Sequence, residues 1–199
     1  MSVDRAPAGR LAELRRLDDA VYAAVVRSDT PRLDGAMRRL SRAADYSRLS
    51  IASSLLMSVA GGSRGRRAAV SGLAAVGLTS AVVNVALKPV GRRRRPPRDA
   101  HGIVPARRVR MPSSASFPSG HSASAFAFAV GAGRVLPAAG VPLRMLAAAV
   151  AYSRVHTGVH YPGDVIAGSL AGAIIADLSA DTIDGLVSHI WTRLSSRSS

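Results

Sequence analysis

The chain of 199 residues is long enough for one domain with a sizeable core, and it combines 48% hydrophobic residues with only 4% aromatic residues. Its formal net charge is +15, and 26 of the 27 basic residues are arginine. This basic excess implies an anionic partner, either lipid headgroups, a phosphorylated substrate or nucleic acid. Because the chain contains no cysteine, disulfides and thiolate metal sites are excluded.

The N-terminal segment, residues 1 to 48, is predicted to form amphipathic helices. Between residues 8 and 28, apolar side chains recur at helical spacing, and charged side chains fill the other face. Pro31 suits the first turn of a second helix. The apolar stripe of the second helix consists of Leu33, Met37, Leu40 and Ala44. A membrane surface is favoured over a soluble core for both stripes, because the rest of the chain is so apolar.

Residues 49 to 180 are predicted to form an all-α core that is integral to a membrane, with about five membrane helices. The clearest span is residues 68 to 87, which carry no charge and, at about 1.5 Å per residue, match a hydrocarbon core of about 30 Å. Gly168 and Gly172 lie in the last apolar run, at the four-residue spacing that lets membrane helices approach closely. The tail, residues 181 to 199, is predicted to be an amphipathic surface helix. Its apolar face consists of Ile183, Leu186, Val187, Ile190, Trp191 and Leu194.

Three polar motifs lie at the ends of these apolar helices. Residues 88 to 96 follow the pattern K-x6-R-P, residues 118 to 121 read P-S-G-H, and residues 153 to 164 follow S-R-x5-H-x3-D. In this order and without a substitution, the motifs resemble those of the type 2 phosphatidic acid phosphatase family. Members of that family are membrane lipid phosphatases, and they share their core with vanadium haloperoxidases. The resemblance implies the same helical core and the same chemistry here.

Phosphoryl transfer spreads negative charge over three oxygens, so its catalysis depends mostly on positioning and positive charge. Lys88, Arg95 and Arg154 supply three cations, and the arginines can make forked contacts to phosphate. Ser119 can donate its hydroxyl. Gly120 has no side chain, so its backbone N–H can approach a phosphate at a helix N-terminus. These five residues are the predicted phosphate-binding set.

His160 is the predicted nucleophile, since a neutral imidazole can attack phosphorus and form a phosphohistidine that water then hydrolyses. Asp164 lies one helical turn further on, where it can accept a hydrogen bond from the other ring nitrogen and fix the orientation of the ring. By resemblance, His121 is the general acid that protonates the leaving alkoxide. No metal and no cofactor is implied.

Several residues also allow other interpretations. The pair of His160 and Asp164 can be a structural pair that caps a helix, but the presence of all three motifs favours the catalytic role. His156 and His160 have a spacing that suits zinc, but no glutamate lies between them and the chain has no cysteine, so a structural role is favoured for His156. A further set of arginines is interpreted as a solvated or headgroup-binding patch, so that alanine at Arg93 is expected to cost little activity. The set consists of Arg92, Arg93, Arg94, Arg107, Arg108 and Arg110.

The leading functional hypothesis is a membrane lipid phosphatase that acts on a phosphate monoester or diphosphate. Phosphatidic acid, phosphatidylglycerol phosphate and polyprenyl (di)phosphate all fit, and the alternative is a polyprenyl-phosphoryl-pentose phosphate of cell-wall synthesis. A haloperoxidase-like protein that binds vanadate is disfavoured, because those relatives are soluble. A nucleic-acid binder is disfavoured, because few aromatic side chains are present for stacking.

The expected location is the cell membrane of a bacterium, since the alanine- and arginine-rich composition suggests a high-GC genome. The positive-inside rule, applied to the numbers of lysine and arginine residues on the two sides of the predicted membrane bundle, favours a cytoplasmic active site. The resemblance implies an extracytoplasmic one. The second orientation is adopted, because phosphate-binding arginines confound the charge rule. The oligomeric state is left open.

Overall fold

The computed structural model describes residues 6–195, and within that range the chain forms helices, turns and loops without a β-strand. The helices are α1 (Ala6–Arg27), α2 (Pro31–Ala43), α3 (Arg48–Ala60), α4 (Gly62–Val82), α5 (Lys88–Gly91), α6 (Gly120–Val135), α7 (Pro137–His156) and α8 (Pro162–Ser195). Pro31, Pro137 and Pro162 each lie in a first helical turn, where the missing N–H has no intrahelical partner to lose. Proline therefore marks three of the helix starts.

A π-helical turn, Val83–Leu87, joins α4 to the short helix α5. The three elements form one continuous rod that ends at Arg92, which has a φ of +33°. Turns of this kind inside a helix are frequent at functional sites. The rod carries Lys88 to the same end of the bundle as the other polar motifs.

Helix α6 is the centre of the bundle and packs against α4, α7 and α8. Small residues allow this packing. Gly168 and Gly172 of α8 lie directly against the backbone carbonyls of Ser119 and Ala123, too close for any side chain. The close approach that their spacing predicts is therefore present, and it joins the starts of α6 and α8.

Two described helical segments, Gly62–Gly91 and Pro162–His189, are long and apolar enough to cross a membrane. The first includes the predicted span of residues 68 to 87. Large apolar side chains also cover the outer surface of the bundle, and Val59 and Leu178 are 86% and 80% exposed. An outer surface of this kind suits contact with lipid. The predicted count of about five membrane helices stays a prediction.

The N-terminal helices pack on the bundle with only part of their apolar stripe. Tyr22 and Val26 of α1 are buried together with Ile103 and Val155. In contrast, the side chains in the first half of the apolar stripe of α1 are each about 60% exposed. This first half consists of Leu11, Leu14 and Leu17. The stripe therefore divides into a half that packs on the protein and a half that is available to a membrane surface.

A buried ion pair holds α2 against the loop that precedes α6. Nε of Arg107 lies 2.7 Å from Oδ1 of Asp34, and His156 Nε2 lies 3.0 Å from the same oxygen. Arg107 is 2% exposed, so its interpretation as a solvated residue is wrong. His156 has the structural role that was favoured over zinc binding.

Helix α8 continues without a break across residue 180, where the tail was expected to begin. Ile183 and Val187 of the tail are buried against Ala75 and Ala127. This part of the tail belongs to the bundle rather than to a separate surface helix. The side chains of Ile190, Trp191 and Leu194, which were expected on the same face, lie outside the described residues.

Candidate active site

The first pair of the site is formed by His160 and Asp164. Residues 157 to 161 connect α7 to α8, and Gly158 adopts a φ of +70°, a conformation that suits glycine. The turn brings Nδ1 of His160 to 3.5 Å from Oδ2 of Asp164, in the first turn of α8. The same carboxylate oxygen accepts a hydrogen bond from the backbone N–H of Tyr161 at 3.0 Å. The structure thus brings the predicted nucleophile and its predicted orienting residue together.

Ser116 completes the surroundings of this pair. Its hydroxyl donates a hydrogen bond to Oδ2 of Asp164 and lies 3.4 Å from Nδ1 of His160. His160 and Asp164 are almost completely buried, with 1% and 0% exposure. Nδ1 faces two acceptors, the Ser116 oxygen and the Asp164 carboxylate, so we assign the ring proton to Nδ1, and the other nitrogen, Nε2, keeps its lone pair.

Nε2 of His160 faces the guanidinium group of Arg95. Nη1 of Arg95 lies 3.1 Å from this nitrogen and donates to the carbonyl oxygen of Val159 at 2.8 Å. Burial is the main cause that lowers the pKa of His160 to about 4, and the charges of Arg95 and Arg154 act in the same direction. The ring is therefore neutral at neutral pH, which is the form that can attack phosphorus.

Lys88 and Arg95 converge on Ser114. Lys88 Nζ donates to Ser114 Oγ at 3.2 Å, and Nη2 of Arg95 donates to the same oxygen at 3.4 Å. The two cations can therefore share one oxygen atom, as two donors to one phosphate oxygen do. Gly120 also lies next to Lys88, since a Cβ at this glycine would be 3.6 Å from Nζ. As the first residue of α6, Gly120 supplies one of the free N–H groups of a helix N-terminus.

Ser119 is the N-cap of α6. Its Oγ accepts hydrogen bonds from the backbone N–H of Ser122 at 3.5 Å and from the hydroxyl of Ser122 at 3.0 Å. Its own backbone N–H donates to the carbonyl oxygen of Asp164 at 2.9 Å. This last bond ties the second motif to the third. The expected contact between the Ser119 hydroxyl and phosphate stays a prediction.

The second histidine, His121, pairs with Asp45. Nε2 of His121 lies 2.9 Å from Oδ1 of Asp45, and the same oxygen lies 3.6 Å from Nη1 of Arg154. Arg154 is 1% exposed, and its Nη1 donates to the carbonyl and the hydroxyl of Ser41 at 3.0 and 2.8 Å. His121 borders two cavities of about 380 and 240 Å³, and Lys88 lines the smaller one. The predicted acid and a predicted phosphate ligand therefore share a cavity.

Arg93 does not lie in a solvated patch, as the sequence suggested. Its Nη1 lies 2.6 Å from Oδ2 of Asp18 and 3.1 Å from Oδ1 of Asp164, and its guanidinium carbon lies 3.9 Å from the centre of the Tyr161 ring. The earlier interpretation is wrong for Arg93, because this residue contacts the carboxylate that orients His160. Arg92 and Arg94 are exposed, as the interpretation of a solvated patch predicts.

Six residues of the site escape prediction from the sequence. They are Asp18, Ser41, Asp45, Arg93, Ser114 and Ser116. For the two last serines a signal exists, because they belong to a serine cluster just before the P-S-G-H motif. The first three lie in the N-terminal segment at no fixed spacing from any motif, so only the fold brings them to the site.

The match to a family model agrees with this geometry. The model of the PAP2 superfamily matches residues 68–184, which include all three motifs. The decaprenylphosphoryl-5-phosphoribose phosphatase of Mycobacterium tuberculosis, strains CDC 1551 / Oshkosh and ATCC 25618 / H37Rv, is 34% identical to this chain over 183 residues. The alignment covers 92% of this chain and 94% of the relative.

Two crystal structures share the fold. One is a transmembrane PAP2-type phosphatidylglycerolphosphate phosphatase from Bacillus subtilis, with a TM-score of 0.62, 24% identity, and coverage of 89% of this chain and 88% of that one. The other is Aquifex aeolicus LpxE, with a TM-score of 0.61, 23% identity, and coverage of 83% and 95%. The predicted all-α membrane fold and the predicted reaction class, phosphatase chemistry on a lipid phosphate, are confirmed. The chain belongs to the PAP2 superfamily.

Proposed function

We propose that this chain hydrolyses the phosphate monoester of a polyprenyl-phosphoryl-pentose phosphate in a bacterial cell membrane. The observation that carries the proposal is the 34% identity, over nearly the full length of both chains, to a decaprenylphosphoryl-5-phosphoribose phosphatase. The sequence left this substrate as an alternative to phosphatidic acid, phosphatidylglycerol phosphate and polyprenyl (di)phosphate. The leaving group would be a sugar alkoxide, which leaves poorly unless an acid gives it a proton.

In the first step, Nε2 of His160 attacks phosphorus, and the bond between phosphorus and the ester oxygen breaks. His121 gives its proton to that oxygen, so the sugar leaves as an alcohol and the phosphoryl group stays on His160. Asp164 stabilises the positive charge that develops on the His160 ring. The 3.5 Å distance between Nδ1 and the carboxylate supports this assignment.

Lys88, Arg95 and the N–H of Gly120 hold the oxygens of the phosphoryl group in this scheme. The convergence of both side chains on Ser114 Oγ supports this role, because it shows that they can share one oxygen. Arg154 is assigned to the same set. Its contacts with Ser41 and Asp45 hold its guanidinium group beside His121.

In the second step, His121 is neutral and accepts a proton from water while the water oxygen attacks phosphorus. The bond between phosphorus and Nε2 breaks, inorganic phosphate leaves, and His160 returns to its neutral form. His121 is then protonated again and ready for the next turnover. The cycle needs no metal ion in this scheme.

The substrate assignment is tested with purified protein in detergent and EDTA, by phosphate release from decaprenylphosphoryl-5-phosphoribose and from phosphatidic acid. We expect the first substrate to have the higher kcat/KM, and we expect turnover to persist in the chelator. A matched pair of variants serves as control: His160→Ala should be inactive, and His189→Asn, at an exposed position, should retain full activity. A preference for phosphatidic acid would overturn the substrate assignment, and an active His160→Ala would overturn the mechanism.

We infer further that the active site faces the extracytoplasmic side, in line with the family's usual orientation. Ala100 is exposed in the loop between α5 and α6, at the end of the bundle that carries the motifs. Since the chain has no cysteine, Ala100→Cys provides a single labelling site. An impermeant maleimide should label this variant in intact cells. Labelling only after cell lysis would place the site in the cytoplasm.

A further inference from the structure

The residue that contacts His121 comes from a part of the chain that the family model does not cover. Asp45 begins the short 3₁₀ turn Asp45–Ser47 between α2 and α3, whereas the family model begins at residue 68. The next two residues, Tyr46 and Ser47, both adopt a φ of 56°. Side chains disfavour this left-handed conformation, so the turn persists only because its surroundings hold it. The result is a carboxylate that lies 2.9 Å from Nε2 of His121.

We propose that Asp45 is the positioning residue of the general acid, and that it does for His121 what Asp164 does for His160. The carboxylate accepts Nε2–H of His121, which leaves Nδ1 as the nitrogen that exchanges a proton with the substrate. This inference rests on the proposed function, because it takes His121 as the residue that protonates the leaving oxygen.

The proton balance follows from this geometry. In the first step the imidazolium keeps Nε2–H on Asp45 and gives the Nδ1 proton to the ester oxygen. In the second step the neutral ring, still bound to Asp45 through Nε2–H, takes a proton from water at Nδ1. Asp45 itself stays ionised throughout and never receives the proton.

Three charged groups act on the His121 ring, and they act in opposite directions. Burial is the main cause that lowers the pKa of His121 to about 4, the charges of Arg154 and Lys88 act in the same direction, and Asp45 opposes them. At neutral pH the protonated ring is therefore a minor population, and loss of the carboxylate would deplete it further. The carboxylate is therefore needed because the same cations are required to bind phosphate.

A purely structural role for Asp45 is the competing explanation, since its oxygen also lies 3.6 Å from Arg154. The two explanations differ in how the loss depends on the leaving group. An acid matters for an alkyl phosphate, whose alkoxide needs a proton, but not for p-nitrophenyl phosphate, whose phenolate leaves without one. Disturbed packing or misplaced Arg154 would slow both substrates equally.

The test compares Asp45→Asn with the unaltered protein in single-turnover release of the leaving group from both substrates. We expect release from phosphatidic acid or decaprenylphosphoryl-5-phosphoribose to slow by about 10²-fold, at the lower end of the usual range for a general acid, and release from p-nitrophenyl phosphate to slow less than about threefold. Asp45→Glu should recover part of the loss. Asp181→Asn, which removes an exposed carboxylate that pairs with Arg134, should behave as the unaltered protein does.

Equal slowing of both substrates in Asp45→Asn would overturn the inference and leave Asp45 as an anchor for Arg154. The alkaline fall of turnover gives a second readout: in Asp45→Asn it should move to lower pH, because the protonated ring has lost its carboxylate. An unmoved alkaline fall would also contradict the inference. Failure of the proposed function is distinct, since it would appear in the unaltered protein, as a preference for phosphatidic acid or as no phosphate release from either lipid.

Discussion

The two histidine–carboxylate pairs of the site are built in different ways. His160 and Asp164 are four residues apart, belong to one motif and are almost fully buried. His121 and Asp45 are 76 residues apart, and both side chains are partly exposed at 25% and 37%. The first pair is local and closed, whereas the second is assembled by the fold and opens to two cavities.

This difference fits the two roles that we propose for the histidines. A nucleophile needs one fixed orientation and a neutral ring, and burial supplies both. A general acid must meet the leaving group and then water, so it needs an accessible position. The comparison also indicates that the N-terminal helices help to position the candidate site, since Asp18, Ser41 and Asp45 all contact residues of the motifs or their neighbours. Their role exceeds attachment to a membrane surface.

The largest expected effect is at the buried pair. Asp164→Asn should lower kcat by about 10²- to 10⁴-fold, because an amide can stabilise the wrong ring tautomer of His160 and cannot balance its developing charge. Both lipid and p-nitrophenyl substrates should be affected alike, in contrast to Asp45→Asn. Single-turnover release of the leaving group measures this. A loss confined to the lipid substrate would show that Asp164 serves the acid rather than the nucleophile.

A smaller effect is expected at Arg93, whose guanidinium group forms an ion pair with Oδ1 of Asp164. Arg93→Ala should lower kcat about tenfold, because Asp164 loses one ion pair but keeps its bonds from Ser116 and from the Tyr161 N–H. Arg94→Ala, at the exposed neighbour, is the matched control and should change kcat by less than about twofold. Equal steady-state rates for the two variants would return Arg93 to the role of a surface residue.

The smallest expected effect is that of moderately acidic pH on the protonation of His160. Its pKa is lowered to about 4, so the ring should remain neutral when the pH falls from 7 to about 5. The unfolded chain binds this proton near the ordinary value of 6.5, so the contribution to stability is present above 6.5 and is lost as the pH falls towards 4. Histidine-selective NMR in detergent, assigned with His160→Gln, measures the titration. A midpoint near 6.5 would contradict the buried, neutral nucleophile.

Local patterns made part of this site predictable. The three motifs contain all the predicted site residues, and apolar runs with proline at their starts indicated the helices. Gly168 and Gly172 indicated close helix packing, which the structure shows against α6. Each of these signals lies within a few residues along the chain, so the sequence carries it directly.

The rest depends on contacts between distant parts of the chain. Nothing about the sequence around Asp45 distinguishes it from a solvated helix-end carboxylate, and its partner lies in another motif. Arg93 and Arg107 illustrate the same limit. Both lie in basic stretches of a kind that is usually solvated. Arg93 nevertheless forms ion pairs with Asp18 and Asp164, and Arg107 forms a buried ion pair with Asp34. Charge patterning identifies a basic surface, but not which of its arginines a distant carboxylate will bury.

The most direct test of the mechanism is to trap the phosphoryl group on the enzyme. The protein is mixed with a lipid substrate labelled at the scissile phosphate and quenched in alkali, which preserves phosphohistidine. We predict a covalent label that survives alkali, is lost in acid and maps to His160, and that is absent from His160→Ala. A label at any other residue, or full turnover with no covalent label at all, would contradict the account.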